Sequence, residues 1–135
     1  MIALDTNVLV RVVTQDDPEQ LRIALEVMQQ PELFVTKTVM LETAWVLRFT
    51  YGLERESVHA ALAAIVGYSN ITVEDRTAVL HALAWLGRRL DFADALHLAS
   101  GRKATAFATF DRRLAKAARA VADAPPVRFL GPPQP

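Results

Sequence analysis

The sequence lacks cysteine, contains few aromatic residues (7%), and has no formal net charge because 15 basic side chains balance 15 acidic ones. Without cysteine the chain forms neither a disulfide nor a thiolate zinc site, which fits a reducing compartment. A net charge of zero gives no global attraction to nucleic acid, so any nucleic-acid surface must be a local cluster of bases. No apolar run approaches the roughly 18 residues of a membrane span. We therefore expect a cytoplasmic protein that does not associate with a membrane.

What the chain does contain is enough apolar sequence for one folded domain. Its 135 residues are 52% hydrophobic, with no internal repeat and no linker-like segment. This length is close to that of a single domain with its own core. We predict one domain over residues 1–130, followed by a loose proline-rich tail over 131–135.

Short apolar runs alternate with stretches of helical periodicity along the chain. The predicted strands are 2–5, 33–36, 71–73, 105–109 and 127–130. The predicted helices are 8–13, 18–28, 38–51, 54–66, 76–86, 91–102 and 112–120, with Asp17 and Thr38 as N-caps. Strands that alternate with helices favour an α/β fold, here a three-layer α/β/α sandwich with a central parallel sheet.

Acidic residues interrupt this apolar pattern at five places, namely Asp5, Glu42, Asp91, Asp94 and Asp111. A carboxylate in an apolar environment is costly unless a proton or a cation neutralises it. Two of these acids directly follow predicted strands, and the carboxyl ends of parallel strands are where ligands bind in such sheets. The pattern therefore indicates a shared divalent cation.

Glu42 lies in the most apolar of the predicted helices. Val39, Leu41 and Trp45 surround it, and a helix that is apolar on nearly all sides is expected to be buried. An ion pair with Arg48 or Arg11 is the structural alternative to a role in metal binding.

The other acids also have structural alternatives, and these remain open from the sequence alone. Asp91 and Asp111 each precede a helix and are suitable N-caps, and Asp94 fits the first turn of a helix. Asp5 is compatible with a turn. His97, one turn after Asp94, is expected to be a partly buried structural histidine rather than a catalytic base.

The donor set favours a hard cation. Carboxylate oxygens suit Mg²⁺ or Mn²⁺, whereas zinc sites draw on cysteine and histidine. The chain has no cysteine and three histidines. A carboxylate cluster that holds one or two such ions is typical of phosphodiester hydrolysis.

These residues resemble a known family. The start Leu4-Asp5-Thr6-Asn7-Val8-Leu9, Glu42 in a long helix, the segment Asp91-Phe92-Ala93-Asp94-Ala95-Leu96, and Thr109-Phe110-Asp111 together resemble PIN-domain ribonucleases. In particular, they are similar to the VapC-type toxins of bacterial and archaeal toxin–antitoxin pairs. The resemblance extends over essentially the whole chain.

The resemblance implies a Mg²⁺- or Mn²⁺-dependent endoribonuclease that leaves a 5′-phosphate and a 3′-hydroxyl. Carried over by position, the metal ligands and catalytic acids are Asp5, Glu42, Asp94 and Asp111. Thr6, Asn7 and Thr109 match the polar positions that orient ligands or water, and Asp91 is placed behind the ligands rather than on the metal.

The expected partners follow from the same resemblance. RNA is the substrate, and Arg11, Arg112 and Arg113 are the candidate contacts to its backbone. A cognate antitoxin and a homodimer formed through the helices over 39–68 are also implied. The alternative is a PIN fold that binds RNA or a protein partner without turnover. A DNA nuclease with the same metal chemistry also remains open, whereas a phosphoacceptor domain is disfavoured because no second acid accompanies Asp5.

Overall fold

The computed structural model describes residues 1–86 and 88–133, which form a helix-rich α/β fold with parallel strands. This confirms the predicted fold class. Contacts divide the chain into two compact units, Met1–Arg76 and a second that begins at Thr77, so the single domain stays a prediction. Gln134 and Pro135, at the end of the predicted loose tail, lie outside the described residues.

The first unit contains parallel strands joined by helices. Its elements in chain order are β1 (Ile2–Ala3), α1 (Thr6–Thr14), α2 (Pro18–Met28), β2 (Leu33–Val35), α3 (Lys37–Trp45), a π-helical turn (Val46–Thr50), α4 (Arg55–Gly67) and β3 (Ile71–Val73). The strands pair in the order β1-β2-β3, with Ile2 beside Leu33 and Leu33 beside Ile71. Because all the strands run the same way, α1 and α3 both begin at the carboxyl edge of this sheet.

The second unit follows the same rule with a shorter sheet. Its elements are α5 (Arg76–Trp85), α6 (Phe92–Ser100), β4 (Phe107–Thr109), α7 (Arg112–Arg119) and β5 (Val127–Phe129). Strands β4 and β5 are parallel, with Phe107 beside Val127, so α7 is the crossover helix between them. The buried side chains of this unit include Val79, Leu90 and Leu98.

The first strand differs from its prediction. Residues 2–5 are predicted to form a buried strand, but only Ile2–Ala3 is a strand and both of its residues are exposed. β1 is the edge strand of its sheet, which leaves it open to solvent. Leu4 is buried and Asp5 already caps the next helix.

Two helix starts test the capping predictions. Asp17 caps α2 as expected, since its side chain accepts a hydrogen bond from the Gln20 amide at 3.0 Å. The prediction that Thr38 caps α3 is wrong, because β2 ends at Val35 and Thr36 is the cap. The hydroxyl of Thr36 accepts from the Val39 amide at 3.2 Å.

The long helix predicted to reach Tyr51 does not remain α-helical. It changes at Val46 into a π-helical turn, which closes when the Tyr51 amide donates to the Val46 carbonyl at 3.1 Å. A π-turn holds one residue more than an α-turn, so it changes the direction in which the following side chains point. Gly52, at φ +69°, then ends the helix as predicted.

Candidate active site

Asp5 is held at the start of α1. Its backbone is extended and its Oδ1 accepts a hydrogen bond from the Thr6 amide at 2.7 Å, while the residue remains exposed. Thr6 is buried, and its hydroxyl makes no hydrogen bond within residues 1–86 and 88–133. Asn7 is exposed one residue further on. The structure therefore places Asp5 at the carboxyl edge of the first sheet, as the sequence predicts.

Glu42 is exposed, and its predicted burial is wrong. α3 buries Met40, Thr43 and Ala44 on one side and leaves Glu42 and Trp45 in solvent on the other. Trp45 is 57% exposed, so apolar composition misleads here because an aromatic side chain lies on the surface. Glu42 thus needs no buried counter-charge.

The predicted alternative for Glu42, an ion pair with Arg48 or Arg11, is also wrong. Arg48 donates to the Leu53 carbonyl at 3.1 Å, and Arg11 pairs with Asp16 at 2.8 Å. Among the residues that the structure describes, no ion pair involves Glu42.

Asp91 caps α6 and thereby orders the next acid. Its Oδ1 accepts a hydrogen bond from the Asp94 amide at 2.8 Å. The capping alternative for Asp91 is confirmed, and its bond goes to the backbone of Asp94. Such a bond fixes where the first turn of α6 starts, and with it the direction of the Asp94 side chain.

Asp94 is half-buried among like charges. Burial raises its pKa, and the carboxylates of Asp91 and Asp111 raise it further. His97 and Arg113 act in the opposite direction. The second unit therefore brings three acids close enough to interact electrostatically. His97 itself is exposed, so the predicted partly buried histidine is wrong.

Asp111 caps α7 in the same way. Its Oδ1 accepts from the Leu114 amide at 3.1 Å, and its own amide donates to the Thr109 hydroxyl at 2.9 Å. Thr109, at the end of β4, thus fixes the backbone of Asp111 at the carboxyl edge of the second sheet. The capping alternative for Asp111 is confirmed, and the residue remains exposed.

The three candidate arginines differ in what they contact. Arg11 donates through Nε to Gln20 and through Nη1 to Asp16 and Tyr51. Arg112 lies 4.6 Å from the centre of the Phe129 ring and donates to the Pro132 carbonyl at 2.9 Å. Arg113 is exposed and near enough to Asp94 to lower its pKa.

The contact of Arg112 also reaches the segment over 131–135, the predicted loose tail. Its hydrogen bond joins the Pro132 carbonyl to α7. No sequence pattern indicates this bond, because its partners are a surface arginine and a main-chain oxygen.

Each unit contributes its own candidate acids. In the first unit Asp5 and Glu42 belong to helices that leave the same sheet edge, and in the second unit Asp91, Asp94 and Asp111 interact electrostatically. Over residues 1–86 and 88–133, no group of three or more His, Asp or Glu side chains has the arrangement of a closed metal site.

Comparison with known families decides the family of the chain. The PIN domain model matches residues 2–120, which include nearly all of the first unit and most of the second. The chain belongs to the PIN-domain family. Its α/β architecture with parallel strands agrees with the PIN-like α/β/α fold, which is of the nuclease type and compatible with RNA binding. No curated protein matches the sequence. Among the described residues, no helix is long and apolar enough to cross a membrane.

The donor set of this PIN domain fits a hard divalent cation. The candidate ligands are all carboxylates, and oxygen donors are those that Mg²⁺ and Mn²⁺ prefer. Burial, and then repulsion by Asp91 and Asp111, raise the pKa of Asp94, and a bound cation relieves this penalty on the charged form. Each capping acid uses Oδ1 for its helix, and a carboxylate has a second oxygen to offer a metal.

A stability measurement tests the repulsion at Asp94. At about pH 7, Asp94→Asn should raise the free energy of unfolding of the metal-free protein by about 1 kcal/mol or less, because solvent screens a half-buried group. The folded pKa of Asp94 is raised, so ionisation destabilises the folded state. This penalty is absent below the ordinary pKa of Asp, ~3.9, and complete above the raised folded pKa.

Urea unfolding of the wild type and Asp94→Asn at about pH 7 and about pH 3 measures this effect. The difference at about pH 7 should disappear at about pH 3. A variant that is less stable than the wild type at about pH 7 would show that Asp94 is stabilised by its surroundings.

Sequence reasoning missed Asp16 and Tyr51, whose contacts join distant parts of the first unit. The Tyr51 hydroxyl donates to Asp16 Oδ2 at 2.9 Å. Hydrogen bonds to Thr14 and to Tyr51, together with the nearby charge of Arg11, lower the pKa of Asp16. No local pattern marks this pair. The one available indication is a Tyr directly before the helix-ending Gly52, on a chain with few aromatic residues.

Proposed function

We propose that this PIN domain is a Mg²⁺- or Mn²⁺-dependent endoribonuclease. The observation that carries the proposal is the group of three acids Asp91, Asp94 and Asp111, in which burial and the two neighbouring carboxylates raise the pKa of Asp94 despite the opposing charges of His97 and Arg113. A stable fold gains nothing from such repulsion, so it is expected where a cation binds. Family membership supplies the nuclease-type fold on which the proposal rests.

The proposed ligands are Asp5, Glu42, Asp94 and Asp111. A bound divalent ion would polarise the scissile phosphate and lower the pKa of water, which gives hydrolysis at neutral pH. Asp91 and Thr109 hold the backbone of two ligands through the hydrogen bonds at 2.8 Å and 2.9 Å. Thr6 and Asn7 follow Asp5 and orient that ligand or a water molecule.

The RNA backbone contacts are proposed for the same three arginines, with different availability. Arg113 is exposed beside the acids of the second unit and can meet a phosphate directly. Arg11 and Arg112 have donors engaged within the fold, so each offers RNA only the remaining ones. We expect Arg113 to contribute most to substrate binding.

We further propose that the protein is the VapC-like toxin of a toxin–antitoxin pair and acts in the cytoplasm. A homodimer and a cognate antitoxin are the proposed partners. Support comes from apolar side chains on the predicted interaction helices: Trp45 and Phe49 are exposed with their rings 5.8 Å apart, and Tyr68 is exposed at the end of α4. Burial of such aromatics is a common source of binding energy at interfaces.

Cleavage of a mixed RNA pool tests the proposed function. Purified protein should cut RNA with Mg²⁺ or Mn²⁺, stop in EDTA, and leave a 5′-phosphate and a 3′-hydroxyl. DNA of the same sequence in a parallel reaction separates ribonuclease from deoxyribonuclease activity. Binding of RNA without cleavage, in protein freed of any copurified partner, would replace this proposal by that of a binding module.

A further inference from the structure

Three side chains of the first unit form a closed set of hydrogen bonds, which we call the Arg11–Asp16–Tyr51 triangle. Tyr51 donates to Asp16 Oδ2 at 2.9 Å and accepts from Arg11 Nη1 at 2.9 Å. Arg11 Nη1 also donates to Asp16 Oδ1 at 2.8 Å. Two neighbours add to the triangle. The Thr14 hydroxyl donates to Asp16 at 2.9 Å, and Arg11 Nε donates to Gln20 at 2.7 Å. Charge-assisted bonds of this kind are shorter and stronger than neutral ones.

The triangle connects two helices through residues far apart in the sequence. Arg11 belongs to α1, Asp16 to the loop after it, and Tyr51 to the end of the π-helical turn that continues α3. Because the π-turn redirects the side chains after Val46, the hydroxyl of Tyr51 is presented to the end of α1. The hydrogen bond to Tyr51 and the charge of Asp16 raise the pKa of Arg11. Hydrogen bonds from Thr14 and Tyr51 lower the pKa of Asp16. Both side chains therefore stay charged.

Both candidate ligands of the first unit are on the helices that the triangle joins. α1 and α3 leave the same sheet edge, packed against each other, with Asp5 capping α1 and Glu42 within α3. At about 1.5 Å per residue of α-helix, Arg11 is about 9 Å beyond Asp5, and Tyr51 lies beyond Glu42 at the end of the π-helical turn. The sheet thus fixes the helices near their starts and the triangle fixes them near their ends.

We infer that Tyr51 is a positioning residue for the metal ligands Asp5 and Glu42, an inference that rests on the proposed function. Packing alone leaves two helices able to rotate or slide slightly against each other, which changes the spacing of side chains that share an ion. A second fixed point removes this freedom. Residues that orient ligands in this way commonly change metal affinity by about 10-fold or more when they are altered.

Tyr51→Phe tests the inference, because it removes only the hydroxyl. Electron paramagnetic resonance of free Mn²⁺ should show about 10-fold weaker binding than in the wild type. RNA cleavage should fall at low Mn²⁺ and recover substantially at saturating Mn²⁺, since the ligands themselves remain. A residue with only a structural role would lower the melting temperature without changing Mn²⁺ affinity.

Matched variants separate positioning from stability. Thr72→Val removes a hydroxyl from an exposed residue of β3 and should bind Mn²⁺ like the wild type. Ile65→Val removes one buried methylene from α4 and should lower the melting temperature without weakening Mn²⁺ binding. Asp16→Asn keeps Tyr51 but removes the negative charge of the triangle, and should weaken Mn²⁺ binding as Tyr51→Phe does.

The outcomes distinguish this inference from the proposed function. Wild-type Mn²⁺ affinity in both Tyr51→Phe and Asp16→Asn would overturn the positioning role and leave the nuclease proposal intact. A wild type that binds Mn²⁺ but cuts no RNA would overturn the nuclease proposal, while the affinities of the variants still decide the role of Tyr51. A wild type that binds no Mn²⁺ would overturn both.

Discussion

Asp94→Asn is expected to reduce RNA cleavage by about 100-fold or more while making the metal-free protein slightly more stable. The loss follows because a neutral amide replaces a carboxylate that would bind the cation and balance part of its charge. Such electrostatic contacts commonly change the rate by factors of about 100 to 1,000, on the order of 3–4 kcal/mol. The gain in stability follows because burial disfavours the ionised side chain and Asp91 and Asp111 repel it. Opposite effects on activity and stability are typical of functional residues.

Asp91→Asn is the matched control for Asp94→Asn. Asparagine is as good an N-cap as aspartate, so the bond to the Asp94 amide is retained and α6 should begin at the same residue. We expect this variant to keep its activity within about 10-fold. Initial rates on one RNA at a fixed Mn²⁺ concentration compare the two. Equal losses would mean that Asp91 binds the metal directly, and an active Asp94→Asn would remove Asp94 from the site.

Glu42→Gln should lower cleavage by a similar factor, about 100-fold, without a change in stability. Glu42 is exposed and makes no ion pair among the described residues. Loss of its charge therefore removes no contact that holds the fold, and the free energy of unfolding should remain within about 0.5 kcal/mol of the wild type. A large fall in rate at unchanged stability would locate the role of Glu42 in the reaction.

Glu54→Gln serves as the control for loss of an exposed glutamate. Glu54 precedes α4, is exposed, and makes no side-chain capping bond to that helix. It should cleave RNA at the wild-type rate. The test is to measure the RNA cleavage rate and the urea unfolding of both variants. A Glu42→Gln protein as active as Glu54→Gln would exclude Glu42 from the ligand set.

Local signals predicted much of the fold. Asp17 before Pro18 correctly marks the start of α2, and Gly52 marks the end of the helix before it. Alternation of short apolar runs with helical stretches predicted parallel strands, because a parallel pair requires a crossover of this length. These features depend on neighbouring residues, which is why they can be recognised in the sequence.

Burial was harder to predict, since it depends on what packs against an element. Glu42 was expected inside because its neighbours are apolar, but Trp45 on the same side is exposed. Ile2 was expected inside a sheet, but its strand is at the edge. Composition does not show which face of a helix or which end of a sheet is covered.

Part of the candidate site was also predictable from the sequence. Asp5 and Asp111 follow strands and cap helices, so their positions at sheet edges come from the strand–helix order. The Arg11–Asp16–Tyr51 triangle was not predictable, since α2, β2, α3 and the π-turn separate Tyr51 from its partners in the sequence. Likewise, no sequence pattern indicated that Arg112 holds the Pro132 carbonyl.

The central claim is that these carboxylates bind a divalent cation together, and titration of Mn²⁺ followed by electron paramagnetic resonance tests it most directly. The wild type should bind one or two ions per chain, and the variant with Asp5→Asn, Glu42→Gln, Asp94→Asn and Asp111→Asn should bind none at the same concentrations. Asparagine is a good helix cap, so the variant keeps its caps at positions 5 and 111, and position 94 lies in the first turn of α6 rather than at a cap. The variant should therefore remain folded. Equal Mn²⁺ binding by the wild type and this folded variant would contradict the account.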